Sequence, residues 1–82
     1  MDSRYNFLKI RVLSALENRN WANPPSLAAF LKIYPARSIY TYLLRLHRWG
    51  LVLRRRDVRG LLAYRLSARG RDRLAWLRKQ EE

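Results

Sequence analysis

Fifteen arginines run through the 82 residues, and eleven of them (Arg37, Arg45, Arg48, Arg54, Arg55, Arg56, Arg59, Arg65, Arg69, Arg71 and Arg73) crowd into one stretch, opposed there only by Asp57 and Asp72. A guanidinium group is charged at every physiological pH and presents a planar fork of donors that fits phosphate oxygens and guanine edges two bonds at a time. Among the first of these arginines stand Ser38, Tyr40 and Thr41. Tyrosine and serine hydroxyls commonly hold phosphates, and a threonine can offer its methyl to thymine. The chemistry on offer is recognition of a polyanion. A net charge of +12 on so short a chain repels itself unless a partner neutralises it. Basic residues that served only solubility would be dispersed, and these are concentrated.

Other chemistries lack their residues. The chain has no cysteine, one histidine (His47) and six acidic residues, too few to cage a metal or to run thiol chemistry; no metal and no cofactor are expected. No serine stands in a recognisable relation to a histidine, and no glycine-rich loop is present to cradle a phosphate. The chain is therefore not expected to be an enzyme. His47 reads as a surface residue or a phosphate contact. Trp21, Trp49 and Trp76 could stack on unpaired bases, but aromatics scattered beside apolar stripes serve more often as core or interface. Every apolar run is broken by Arg or Lys well short of a membrane span, so a cytoplasmic or nucleoid location is expected.

The apolar pattern supplies the scaffold these residues need. With 49% hydrophobic residues there is material for one modest core, and residues 1–82 read as one domain. Over residues 4–18, Tyr5, Leu8, Val12, Ala15 and Leu16 recur at helical spacing and predict a first helix with that stripe inward. Phe7 and Ile10 lie off the stripe, as Trp76 does in the last helix; Phe7 and Ile10 are expected to meet another subunit or the C-terminal helix. The Asn- and Pro-rich segment 18–25 reads as a loop, with a short strand pair near Trp21. Ser26 is placed to cap a second helix over 27–32, with Leu27, Phe30 and Leu31 inward. Pro35 suits the first turn of a third helix, residues 36–49, and biases Tyr34 against continuing the second.

In the third helix Ile39, Tyr42, Leu43 and Leu46 share one face, while Arg37, Ser38, Tyr40, Thr41, Leu44, Arg45 and Arg48 lie away from it, and Gly50 ends the helix. Leu51-Val52-Leu53 then turns β-prone, Val58-Arg59-Gly60 makes a turn, and residues 61–66 return as a second strand. Side chains alternate along a strand, so Arg54 and Arg56 share one side and Arg55 takes the other. Some of these arginines are expected to pair with Asp57 or Asp72. Ser67 sits where it would cap a final helix through Leu77, with Leu74 and Leu77 inward, and residues 80–82 are expected to fray.

The run Ser38-Ile39-Tyr40-x-x-Leu43-x-x-Leu46-x-x-x-Gly50-Leu51-Val52, followed by Tyr64-Arg65-Leu66-Ser67-x-x-Gly70-Arg71, resembles the winged helix-turn-helix regulators of the MarR and PadR type. The match covers the third helix, the wing and the start of the last helix, about half of the chain. It implies an α+β fold, a three-helix core with a two-stranded wing and a C-terminal helix. It also implies a duplex-DNA-binding transcriptional regulator, with helix 36–49 in the major groove and the wing, residues 51–66, on the backbone or in the minor groove. The site residues that follow are Arg37, Ser38, Tyr40, Thr41, Arg45 and Arg48 on the helix and Arg54, Arg55, Arg56 and Arg59 on the wing. One such module reads a short half-site, so a homodimer through Phe7, Ile10 and Trp76 is expected. Winged helices also serve as protein-interaction modules and in RNA binding; exposed apolar residues on the third helix would favour the former, and Leu44 is the one of that kind.

Overall fold

The computed structural model describes residues 3–81, with side chains from Phe7 to Gln80. The chain forms helices α1 (Ser3–Glu17), α2 (Pro24–Leu31) and α3 (Arg37–Arg48), strands β1 (Val52–Arg56) and β2 (Leu62–Leu66), and helix α4 (Ala68–Glu81). This is the α+β winged helix that the sequence predicts. The side chain of Tyr5 and the end of the chain at Glu82, both part of the sequence expectations, lie outside the described residues.

The core forms where the apolar stripes of four helices meet the inner face of the hairpin. Val12, Leu16, Leu27, Leu31, Ile39, Leu43, Leu46, Val52, Tyr64, Leu66, Leu74 and Leu77 are all buried in it. Leu13, which the helical stripe had omitted, is fully buried as well, because α1 is covered by α4 on one flank and α2 on another. Its buried arc is wider than a single stripe. Leu8, Ile10 and Tyr42 pack partly against this core.

Two details of α2 depart from expectation. Asn23, not Ser26, is the N-cap: its Oδ1 accepts the Ser26 N–H at 2.8 Å. Pro24 and Pro25 then occupy the first turn, where a missing N–H leaves no bond unmade. Phe30 was expected inside and is 60% exposed, while Ala28 takes the inner position. Starting the helix three residues earlier does not change which residues lie on one face; the neighbours decide which arc is covered. Pro35 precedes α3, its carbonyl accepting the Ser38 N–H at 3.0 Å.

Gly50 closes α3 with φ 76°, and the Gly50 and Leu51 N–H groups donate to the carbonyls of His47 and Leu46, a Schellman ending. The hairpin is antiparallel, in register Val52↔Leu66 through Arg56↔Leu62. Ala22 adds an isolated bridge to Tyr64, with N–H···O bonds of 2.9 and 2.8 Å in both directions, so the strand pair expected near Trp21 borders the sheet. Ser67 then locks the return: its Oγ donates to the Gly50 carbonyl at 2.7 Å and accepts the Gly70 N–H at 2.9 Å. Gly70 lies so close to the Leu51 carbonyl oxygen that a Cβ there would collide with it. α4 runs on past Leu77 to Glu81, held to α1 by Arg78, which pairs with Glu17 at 3.0 Å and donates to Ser14 Oγ at 3.1 Å.

Candidate nucleic-acid interface

α3 has one buried face, Ile39, Leu43 and Leu46, and presents the remainder outward. Arg37, Ser38, Tyr40, Thr41, Arg45 and Arg48 are all exposed, as the spacing predicts, and Leu44 is half-buried. Arg37, Ser38, Thr41 and Arg45 border one shallow recess together with Tyr42. Thr41 Oγ1 donates to the Arg37 carbonyl at 3.2 Å, a back-bond that satisfies the hydroxyl within the helix. Thr41 then has its methyl and the acceptor lone pairs of Oγ1 left for a ligand. Arg48 stands apart from this set, on the last turn, beside Lys9, Trp49, Arg69 and Arg73.

The tip of the hairpin is organised by Asp57. Its Oδ1 accepts the N–H groups of Arg59 at 2.8 Å and Leu61 at 3.0 Å, its own N–H donates to the Leu61 carbonyl, and its carbonyl accepts from Gly60. Gly60, at φ 81°, supplies the positive torsion of the turn. The carboxylate is thus engaged with backbone. Among the described residues neither Asp57 nor Asp72 pairs with an arginine, against expectation, because the turn uses Asp57 as a local acceptor. An Asp three residues before a Gly in a tight turn was the signal that could have shown this.

The four wing arginines are not equivalent. Arg56 and Arg54 lie opposite Leu62 and Tyr64, and Arg55 opposite Ala63, so the alternation holds. Arg56 Nη1 donates to the Gly60 carbonyl at 2.8 Å, which fixes its stem and leaves most of its donors unused. Arg55 is stacked over Trp21, 4.2 Å from the ring centroid. The guanidinium groups of Arg54 and Arg59 have no partner among the described residues. Between the wing and the helices, Arg56, Gly60, Leu61 and Leu62 face Pro24, Pro25 and Tyr40 across a cleft of about 320 Å³. The hairpin tip therefore sits beside the N-terminal half of α3. Val58 at the tip is fully exposed.

Trp21 and Asp57 take roles that the sequence reading did not give them; each acts by holding a neighbour in place. His47, expected at the surface, is half-buried with Nδ1 3.3 Å from the Val52 carbonyl, so it ties α3 to β1 and does not extend into solvent. The three residues expected at a subunit interface are not gathered on one patch. Phe7 is 62% and Trp76 52% exposed, while Ile10 is half-buried. Ile10 borders a groove between α1 and α2 with Phe30 and Leu31, and Trp76 borders a recess along α4 with Arg69, Asp72 and Arg73. No helix among the described residues is long and apolar enough to cross a membrane.

The fold has a counterpart among solved structures. The transcriptional regulator BldR from Sulfolobus solfataricus superposes with a TM-score of 0.78 over 89% of this chain, at 21% sequence identity. The match takes in 52% of that regulator, so the present chain spans about half its length. No protein-family model matches the chain, and no curated protein matches it.

Proposed function

We propose that this protein binds duplex DNA and regulates transcription, with α3 in the major groove and the wing on the flanking backbone or in the minor groove. The observation that carries the reading is a pairing of surfaces: the outward face of α3 and the hairpin tip beside it both bear guanidinium groups that no acidic residue neutralises among the described residues. A helix of this width fits the major groove, and arginines on an adjoining hairpin suit phosphates. That the solved structure superposing on this chain is described as a transcriptional regulator supports the same reading. Arg45 and Arg37 are the candidates for guanine edges, Thr41 for a thymine methyl, and Ser38 and Tyr40 for phosphates. Arg54, Arg56 and Arg59 hold the backbone, and Arg55, parked on Trp21, contributes charge at longer range. On this reading Arg48 is the weakest of the helix residues for DNA contact.

The protein acts as a homodimer, so that two short half-sites are read together at a spacing of about 34 Å. Phe7, Ile10 and Trp76 are the candidate contacts; the exposure of Phe7 and Trp76 supports those two, and Ile10 offers only its half-buried edge. The protein catalyses no reaction in this role and works in the cytoplasm, on the nucleoid when bound. Selection of binding sites from random duplexes by gel shift, at two salt concentrations, tests the whole. Enrichment of one sequence class that survives at the higher salt is expected. Binding without enrichment that vanishes at the higher salt would reduce the protein to charge-driven adhesion, and a preference for single strands would overturn the duplex reading.

A further inference from the structure

Arg48, set apart from the rest of α3, belongs to a second cationic surface. It lines a recess of about 420 Å³ with Lys9 of α1, Trp49 and Leu51 at the end of α3, and Arg69 and Arg73 of α4. Four cations from three helices thus converge with no acid on the lining among the described residues; Asp72 borders the neighbouring recess along α4, with Arg69 and Arg73 shared between the two. Lys9 Nζ lies over the Trp49 ring, 4.6 Å from its centroid, which holds the ammonium at the wall. Arg69 extends across Gly50, with its Cδ and Nη1 3.6 and 3.7 Å from where a Cβ would stand; that approach places the guanidinium over the αL turn. The Lys9 pKa is lowered, first by burial and second by the positive charge of Arg73, so like charges already repel one another across this recess. Arg48, Arg69 and Arg73, which form no ion pair among the described residues, thus face one recess, and guanidinium groups gathered in that way suit an anion.

We propose that this recess is a phosphate-binding site, separate from the N-terminal half of α3 and the wing, and that it takes ligands carrying two or more phosphoryl groups. The ligand class follows from the lining. Arg48, Arg69 and Arg73 offer forked donors that match phosphoryl oxygens, and Lys9 adds a point charge. The volume is that of a small-molecule site, and four positive charges favour a multiply charged guest over a single carboxylate. The phosphoryl groups are those of a free polyphosphate or nucleotide, or those of a DNA strand leaving the primary site. Because the recess is built on the Schellman turn that joins α3 to β1 and on the first turns of α4, an occupant would bear on both halves of the primary site.

The test uses inorganic tripolyphosphate and the wild-type protein, followed by amide ¹H–¹⁵N spectra. Saturable shifts of Gly50, Leu51 and Arg69, larger than those of Ser38 and Thr41, are expected. The variant Arg69→Gln/Arg73→Gln, both exposed and so compatible with folding, should bind about tenfold more weakly or worse, while Arg37→Ala/Arg45→Ala should leave the recess shifts unchanged. Repeating the titration with a short duplex already bound separates the sources. Shifts that persist assign the site to free phosphate compounds. A duplex that shifts the same amides by itself and competes with tripolyphosphate assigns it to the DNA backbone. Absence of saturable shifts at the recess, or shifts that are the same in Arg69→Gln/Arg73→Gln, would overturn the proposal.

Discussion

Replacing Arg54, Arg56 and Arg59 together by alanine puts the wing to a quantitative test. All three side chains are exposed, so the loss removes little packing. Arg54 and Arg59 have no partner among the described residues, and Arg56 spends one N–H on the Gly60 carbonyl, keeping the rest for a ligand. If each neutralises one phosphate, the slope of log K against log salt becomes shallower by about 0.9 per contact, or about 2.7 for the three. Between about 50 and 200 mM salt, a fourfold change, the wild-type affinity should then fall about 40 times further than that of the variant. Fluorescence anisotropy with a labelled duplex at several salt concentrations measures the slope directly. Arg55→Ala is the internal comparison. Its guanidinium rests on Trp21, so it should alter the slope by well under the 0.9 or so of one phosphate contact. A triple variant whose slope equals that of the wild type would refute the phosphate role, whatever happened to its affinity at one salt concentration.

Other substitutions address the remaining elements. Arg45→Ala should relax base preference at one position of the selected site by about 1–3 kcal/mol; an identical site with uniformly weaker binding would make Arg45 a positioning group. Phe7→Glu with Trp76→Glu, two exposed positions, should shift sedimentation equilibrium from dimer to monomer at micromolar concentration; a wild-type protein that is monomeric both free and on DNA would refute the assembly. Gly70→Ala should destabilise the fold by about 1–3 kcal/mol through the collision with the Leu51 carbonyl, seen as a lower denaturant midpoint. Ser67→Ala should cost about 1–2 kcal/mol, since it removes both the α4 cap and the bond to Gly50.

Much of the architecture was legible because local rules act at short range. The helical spacing of Ile39, Leu43 and Leu46, the glycine after Trp49, the period change at Leu51 and the Ser67 cap each depend on a few neighbouring residues, and the structure carries all of them. The arginine distribution was equally plain, as was the alternation that separates Arg55 from Arg54 and Arg56. The resemblance to winged helices rested on those same features. Gly70, quoted as part of that pattern, acquires its physical reason only when the turn between α3 and β1 is brought against α4 and the Leu51 carbonyl occupies the space a Cβ would need.

Tertiary structure decided matters that depend on what lies beside a residue. Periodicity offered Phe30 and omitted Leu13, but packing of α4 and α2 on α1 set the buried arc and reversed both. Asp57 was a candidate ion-pair partner by charge, yet the folded turn supplied two backbone N–H groups nearer than any guanidinium. His47 was turned inward by the strand that follows its own helix. The recess joining Lys9, Arg48, Arg69 and Arg73 draws on residues up to 64 positions apart. Sequence determines which charges and apolar faces each segment carries, because those follow from neighbours along the chain. Which of them meet is a property of the packed molecule, since only the crossing of α1, α3 and α4 brings distant segments within reach of one another.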